Sequence, residues 1–301
     1  MTVVFDRIAV IGLGLIGGSL ARAARRSGAA RFIAAATRRQ SASENALREG
    51  VVDSVGAPDE IARDADLVVL ATPVFAMASM TRRIAPNLAR GTLLTDVGSV
   101  KAVLNDTLPG LLPPGVDYIG SHPMAGSHAR GFEHSRADLF EGEACIVSET
   151  GPVRRRQALC DFWRELGARV TVRDPADHDT EVAWMSHVPH VVAYAFAAAL
   201  GSAPGGAREV AGAGFRDFTR IARSEPELWG DILTANRKAL SAPLEMVADA
   251  LVRLGRAIDA NDADALEREI SAAREALSHF SHGEDSEQNG AGEGHPITGK
   301  T

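Results

Sequence analysis

Short apolar runs alternate with amphipathic stretches through the first 175 residues, and then the runs stop. Ile8–Ile11, Arg31–Ala36, Asp66–Ala71, Thr92–Thr95, Val116–Ile119, Cys145–Ser148 and Arg169–Val172 each read as a strand, aliphatic and bounded by turn residues. Near-continuous apolar runs, as opposed to period-two alternation, mark parallel strands buried on both faces. A helix is expected from about Gly18 to Ser27, closed by Gly28, and an amphipathic one from about Pro152 to Leu166. Strands alternating with helices predict a mostly parallel sheet with helices on both faces. Past Asp174-Pro175 the period changes. Asp177 to about Leu200 is long and apolar, and Trp184, Met185, Val191, Val192, Tyr194 and Phe196 cover more than one helix face. Helical patterns resume at Pro226–Ala239, Ala242–Ile258 and Asp262–His279. The expectation is an α/β domain at 1–175 followed by an all-helical domain at 176–280. A helix apolar on several faces needs a core or a second subunit to cover it, so the helical domain is the expected homodimer interface. In 281–301 Gly, Glu, Ser and Asn dominate and hydrophobicity vanishes, which predicts a disordered tail.

The first strand runs into Gly12-Leu13-Gly14-Leu15-Ile16-Gly17, a G-x-G-x-x-G that opens a helix. In that context the motif is the dinucleotide-binding fingerprint of a Rossmann domain. Gly12 makes the tight turn, Gly14 admits the pyrophosphate, and Gly17 lets helix and strand pack closely. The amides around Leu15 and Ile16, at the helix N-terminus, face the phosphates. About 20 residues further on, an NAD-preferring fold places an acid against the ribose 2′-hydroxyl. This chain has Thr37-Arg38-Arg39 there. Two guanidiniums and no carboxylate favour a 2′-phosphate, and so NADP, with NAD as the alternative. Thr72-Pro73 and Asp96 follow the next two long strands, and strand carboxyl ends line the cofactor crevice.

Net charge narrows the partners. A formal charge of -7 argues against nucleic acid or an anionic membrane surface. The two cysteines, Cys145 and Cys160, have no metal spacing and fit a reducing cytoplasm. The apolar run Ile8–Leu20 is broken by glycines and followed by Arg22, Arg25 and Arg26, so it does not read as a secretion signal or a membrane span.

Gly120-Ser121-His122-Pro123-Met124-Ala125-Gly126-Ser127 puts a histidine on a short turn after the fifth predicted strand. Held there with water nearby, His122 suits proton transfer near neutral pH; alternatively it is a buried loop histidine bonded to a carbonyl. His187 and His190 stand at i,i+3, but no third ligand lies at metal spacing, and no metal is expected. Lys101 reads as a surface residue in the first turn of a helix.

Together these marks resemble the prephenate dehydrogenase family, which includes arogenate and cyclohexadienyl dehydrogenases. The resemblance spans about residues 6 to 280. It is carried by the segment 12–20, Ala71-Thr72-Pro73, Asp96-Val97-Gly98-Ser99-Val100-Lys101 and the His122 loop. Further marks are Ser186-His187-Val188-Pro189-His190, the segment Gly214–Ala222 and Trp229. The resemblance implies NAD(P)-dependent oxidative decarboxylation of a cyclohexadienol. By the same resemblance His122 takes the ring hydroxyl's proton and Ser99 orients that hydroxyl. Arg220 clamps a substrate carboxylate, and Asp217, one turn earlier, holds the arginine's neighbourhood. His187, Ser127 and Trp229 shape the substrate pocket.

Two positions depart from the family pattern. Gly212-Ala213-Gly214 stands where bacterial relatives often have three glycines, and His128 where they often have an acid. No chorismate mutase or ACT-like pattern is found within the chain, so feedback by tyrosine would act at the active site itself. Prephenate is the expected substrate, with arogenate, or both, as the alternative. A β-hydroxyacid or imine reductase is a more distant reading. Its catalytic lysine has one candidate in the helical half, Lys238, which lacks a glycine four residues earlier. A non-catalytic NADP sensor is the remaining reading, and it has no use for a base such as His122.

Overall fold

The computed structural model describes residues 3–126, 129–278 and 280. Among the described residues the strands form two sheets, not the single one expected. The first has the order β3-β2-β1-β4-β5-β6 and is parallel throughout, with strands β1 (Phe5–Ile11), β2 (Ala30–Ala36), β3 (Ser54–Val55), β4 (Leu67–Leu70), β5 (Leu93–Asp96) and β6 (Asp117–Tyr118). This is the doubly wound dinucleotide-binding order, whose chain reversal lies between β1 and β4. β4 is Leu-Val-Val-Leu and buried at every position, as a central parallel strand requires. The helices between these strands are α1 (Leu15–Ser27), α2 (Gln40–Arg48), α3 (Pro58–Ile61), α4 (Val74–Ile84) and α5 (Ala102–Thr107). α1 ends on Gly28 in the left-handed conformation (φ 72°), with Arg25 and Arg26 in its last turn.

The second sheet has the order β7-β8-β9, with β7 (Ser121–Pro123) antiparallel to β8 (Ala144–Ser148) and β8 parallel to β9 (Arg169–Arg173). His122 therefore lies in a strand, opposite Ile146, and not on the expected turn. Pro123 biases it to an extended backbone, and β8 supplies the ladder. The Ser121 hydroxyl donates to the Asp96 carbonyl (2.6 Å) and lies 3.1 Å from Thr95 Oγ1, which ties β7 to the carboxyl end of β5. Helix α6 (Val153–Glu165) crosses between β8 and β9. It buries Leu159, Cys160, Phe162 and Trp163 in a core shared with Phe5, Ile119, Phe132, Phe140 and Val147.

Helix α7 (Pro175–Val182) begins with Asp174 capping the Ala176 amide (2.8 Å) and Pro175 in the first turn. It continues through a π-helical turn, Ala183–His187, into α8 (Val188–Ala199). Pro189 lacks the N–H that a continuous α-helix would give the Met185 carbonyl, and the wider turn absorbs the defect. α9 (Ala213–Arg220) and α10 (Pro226–Ala235) follow. Asn236 then breaks the helix expected to run to Ala239, and α11 (Arg237–Asp259) and α12 (Ala263–Ser278) complete the described chain. By packing, the chain divides into two compact units, Met1–Ser241 and Ala242–Thr301. The first unit thus continues past residue 175, with α7 packed on α5 and α10 on α4. The tail expected to be disordered, 281–301, lies outside the described residues.

Candidate active site

The turn after β1 meets the turn after β4. At Gly12 φ is +112°, and a Cβ there would lie 2.3 Å from the Ala71 carbonyl oxygen. A Cβ on Gly17 would lie 1.9 Å from the Gly12 oxygen and 2.9 Å from the Ala71 side chain. Both glycines are therefore fixed by backbone contact. Gly14, which caps α1, has open space instead: a Cβ there would meet nothing within 4 Å. Among the described residues no side chain caps α1, so its first amides remain available to an anion. At the end of β4, Thr72 Oγ1 is buried without a hydrogen-bond partner among the described residues. An open glycine, an uncapped helix start and an orphaned hydroxyl at the chain reversal fit a dinucleotide. Pro73, exposed, starts α4. Beyond β2, Thr37 Oγ1 accepts the Arg39 N–H (3.3 Å), while the Arg38 and Arg39 guanidiniums are exposed and form no ion pair among the described residues.

Asp96 does not face that crevice with its carboxylate. It is completely buried, and Oδ1 accepts from the Lys101 ammonium and the Gly98 N–H (2.7 Å) while Oδ2 accepts from the Tyr118 hydroxyl (2.7 Å). Lys101, expected at the surface, is completely buried as the partner of this pair. Losing either partner would strand a buried charge, at a cost of about 3–5 kcal/mol. Burial and the adjacent Asp96 push the Tyr118 phenol well above its usual range. Ser99 is half-buried in the turn between Asp96 and Lys101.

His122 is buried beside the same cluster. Its Nδ1 lies 2.9 Å from Nε2 of His178, whose Nδ1 lies 2.8 Å from Asp179 Oδ1. Asp179 in turn accepts the N–H of Lys101 (2.7 Å) and of Ala102 (2.9 Å), the open start of α5. Burial, then the charges of His178, Lys101 and His187, hold His122 well below the ordinary histidine range, so its ring is neutral at pH 7.

The π-helical turn buries His187 while Trp184 and Met185 on the same turn stay exposed. Asn236 Nδ2 donates to the Asp179 carbonyl (2.8 Å) and lies 3.0 Å from His187 Nδ1. Burial lowers the His187 pKa to about 4. Trp229 lies edge-on to His187 (5.9 Å between centroids) and stacks on His190 (3.5 Å, 20°). His190 Nδ1 donates to the Ser186 carbonyl (2.8 Å). Burial lowers the His190 pKa, and the charge of Arg220 adds to that shift. Arg220 and Asp217 are both exposed on α9, and no ion pair joins them among the described residues. Ser127 and His128 lie outside the described residues. No group of three His, Cys, Asp or Glu residues able to hold a metal occurs among the described residues.

Sequence reasoning brought His122, His187, Arg220 and Trp229 into view and missed His178, Asp179 and Asn236. The one available signal was a histidine between two acids, Asp177-His178-Asp179, at a helix start.

The family model for the nucleotide-binding domain of prephenate dehydrogenase matches residues 20–172, and that for its dimerization domain matches residues 174–272. The chain belongs to the prephenate dehydrogenase family. Among curated relatives, the cyclohexadienyl dehydrogenase of Zymomonas mobilis is 33% identical over 91% of this chain and 95% of its own. Two solved structures share the fold over nearly their whole length. Prephenate dehydrogenase from A. aeolicus, in complex with hydroxyphenyl propionate and NAD+, has a TM-score of 0.83 at 27% identity, covering 91% of this chain and 98% of that one. Synechocystis arogenate dehydrogenase has a TM-score of 0.77 at 30% identity, covering 91% and 99%. As a member of the prephenate dehydrogenase family the chain is an oxidoreductase built on a nucleotide-binding Rossmann domain and a helical domain. Among the described residues no helix is long and apolar enough to cross a membrane.

Proposed function

We propose that the chain oxidises and decarboxylates prephenate to 4-hydroxyphenylpyruvate in the cytoplasm, as a homodimer, with NADP preferred over NAD. The observation that carries this reading is a buried, neutral His122 on a strand tied to the carboxyl end of β5, in the sheet that bears the dinucleotide fingerprint. A nicotinamide held at this crevice would supply the acceptor for the hydride of the hydroxyl-bearing ring carbon. The hydroxyl proton goes to His122, the ring carboxylate leaves as carbon dioxide, its bonding electrons complete the aromatic ring, and the phenolate oxygen so formed takes the proton back from His122. A positioned base of this kind contributes ~10²–10⁴ in rate. Ser99 orients the hydroxyl. Arg220 pairs with a substrate carboxylate, and Ser127, His187 and Trp229 line the pocket. Gly12, Gly14, Leu15, Ile16, Gly17, Thr72 and Pro73 hold the dinucleotide, and the exposed Arg38 and Arg39 meet the 2′-phosphate. Two free, buried cysteines suit a reducing compartment. The likeness to an arogenate dehydrogenase supports a second reading, arogenate as substrate with tyrosine as product. The test is His122→Asn: kcat is expected to fall at least ~10²-fold while the dinucleotide still binds. A near-normal rate would remove His122, and with it this mechanism.

A further inference from the structure

Two hydrogen-bond chains leave one residue of α7. The first starts at the Asp179 carboxylate, which is anchored by the Lys101 and Ala102 amides and also meets His178 Nδ1 at 2.8 Å. A carboxylate only accepts, so His178 Nδ1 carries its hydrogen. A ring that carries this one hydrogen has its lone pair on Nε2, and His122 Nδ1, 2.9 Å away, then donates to it. That leaves His122 Nε2 bare. The second chain starts at the Asp179 carbonyl, which accepts from Asn236 Nδ2 at 2.8 Å. A carbonyl also only accepts, and this fixes which way the Asn236 amide points. The other Nδ2 hydrogen goes to His187 Nδ1 at 3.0 Å. His187 Nδ1 is therefore an acceptor, and the neutral ring carries its hydrogen on Nε2.

We propose that Asp179 is a positioning residue that sets opposite tautomers in two site histidines: through His178 it leaves His122 with a bare Nε2 to take a proton, and through Asn236 it leaves His187 with an Nε2–H to give a hydrogen bond. The inference rests on the reading of His122 as the base. The two rings divide the work on one substrate, His122 toward a hydroxyl and His187 toward an anionic or carbonyl oxygen. When His122 takes the proton, its Nδ1–H still faces His178, and the new charge is stabilised along the chain that ends on the Asp179 carboxylate with no further proton moving.

The test reads tautomers directly. Full-length protein labelled with nitrogen-15 at histidine is examined near neutral pH by long-range proton–nitrogen NMR, with resonances assigned from His122→Asn, His178→Phe and His187→Asn. The expected pattern is Nδ1–H for His122 and His178 and Nε2–H for His187. Finding His122 as Nε2–H, or His187 as Nδ1–H, overturns the proposal. In kinetics His178→Phe should lower kcat at least about tenfold, with KM and dinucleotide affinity within about twofold. His178→Gln restores an acceptor oxygen toward His122 Nδ1, so it should retain the His122 tautomer and recover most of kcat. A Phe variant at full rate, or a Gln variant no better than Phe, also counts against Asp179. The two readings fail separately. A fully active His122→Asn sinks the base and leaves the tautomers as they are, whereas wrong tautomers beside an inactive His122→Asn sink only the role of Asp179.

Discussion

Burial of His187 sets a pH range for stability. Its folded pKa is about 4, against about 6.5 in an unfolded chain. Below about pH 6.5 the unfolded chain gains a proton that the folded one refuses, so the contribution is complete above that pH and is lost as pH falls toward 4. The slope approaches ~1.4 kcal/mol per pH unit. His122, shifted the same way by burial, adds to the fall. Urea midpoints should therefore drop between pH 7 and 5, and less steeply in His187→Asn than in the parent. Equal slopes would contradict the burial of a neutral ring. The residues behind this account differed in how readable they were. His122, His187 and Arg220 sit in motifs with glycine, proline or aromatic neighbours that draw notice. His178 and Asp179 sit in the polar first turn of a helix, where acids suit the dipole and carry no tertiary message. In the sequence Lys101 reads as surface because a fully buried lysine is rare without a partner, and its partner, Asp96, reads as a cofactor ligand at a strand end.

At the scale of elements, the junction of β1 and α1 separates packing from binding. Gly17→Ala puts a methyl 1.9 Å from a backbone oxygen, so the helix must shift, at a cost of about 1–3 kcal/mol. Gly14→Ala meets nothing within 4 Å and should melt close to the parent temperature, yet bind the dinucleotide at least about tenfold more weakly, because its methyl fills the space the pyrophosphate needs. Calorimetry and dinucleotide titration of both variants check this. A Gly14→Ala protein with parental affinity would contradict the proposed cradle. The strands of this junction were legible because buried parallel strands are written as unbroken apolar runs. β3 has two residues, and β7 is a histidine between serine and proline, so neither carries a periodic signal. Their pairing across the chain made them strands, and with β7 a second sheet appeared that the alternation of strand and helix had not announced. The π-helical turn was hidden for a related reason: Pro189 signals a boundary, yet the helix runs through it.

At the scale of the molecule, an aromatic cluster on Met1–Ser241 remains uncovered. Phe196 contacts both Phe215 and Phe218, and the three are 40%, 38% and 43% exposed. Water-facing aromatic groups of this extent call for a partner surface, and the match to a dimerization domain supports a second copy of the chain. Sedimentation should give about twice the 31.7 kDa of one chain, with Phe218→Glu shifted toward the single-chain mass. A monomeric parent would contradict the homodimer. The proposed reaction yields reduced nicotinamide, and absorbance at 340 nm reads it directly. The protein is mixed in turn with prephenate or arogenate and with NAD or NADP. Absorbance should rise with prephenate, and faster with NADP than with NAD. A flat trace in all four mixtures would contradict the proposed reaction.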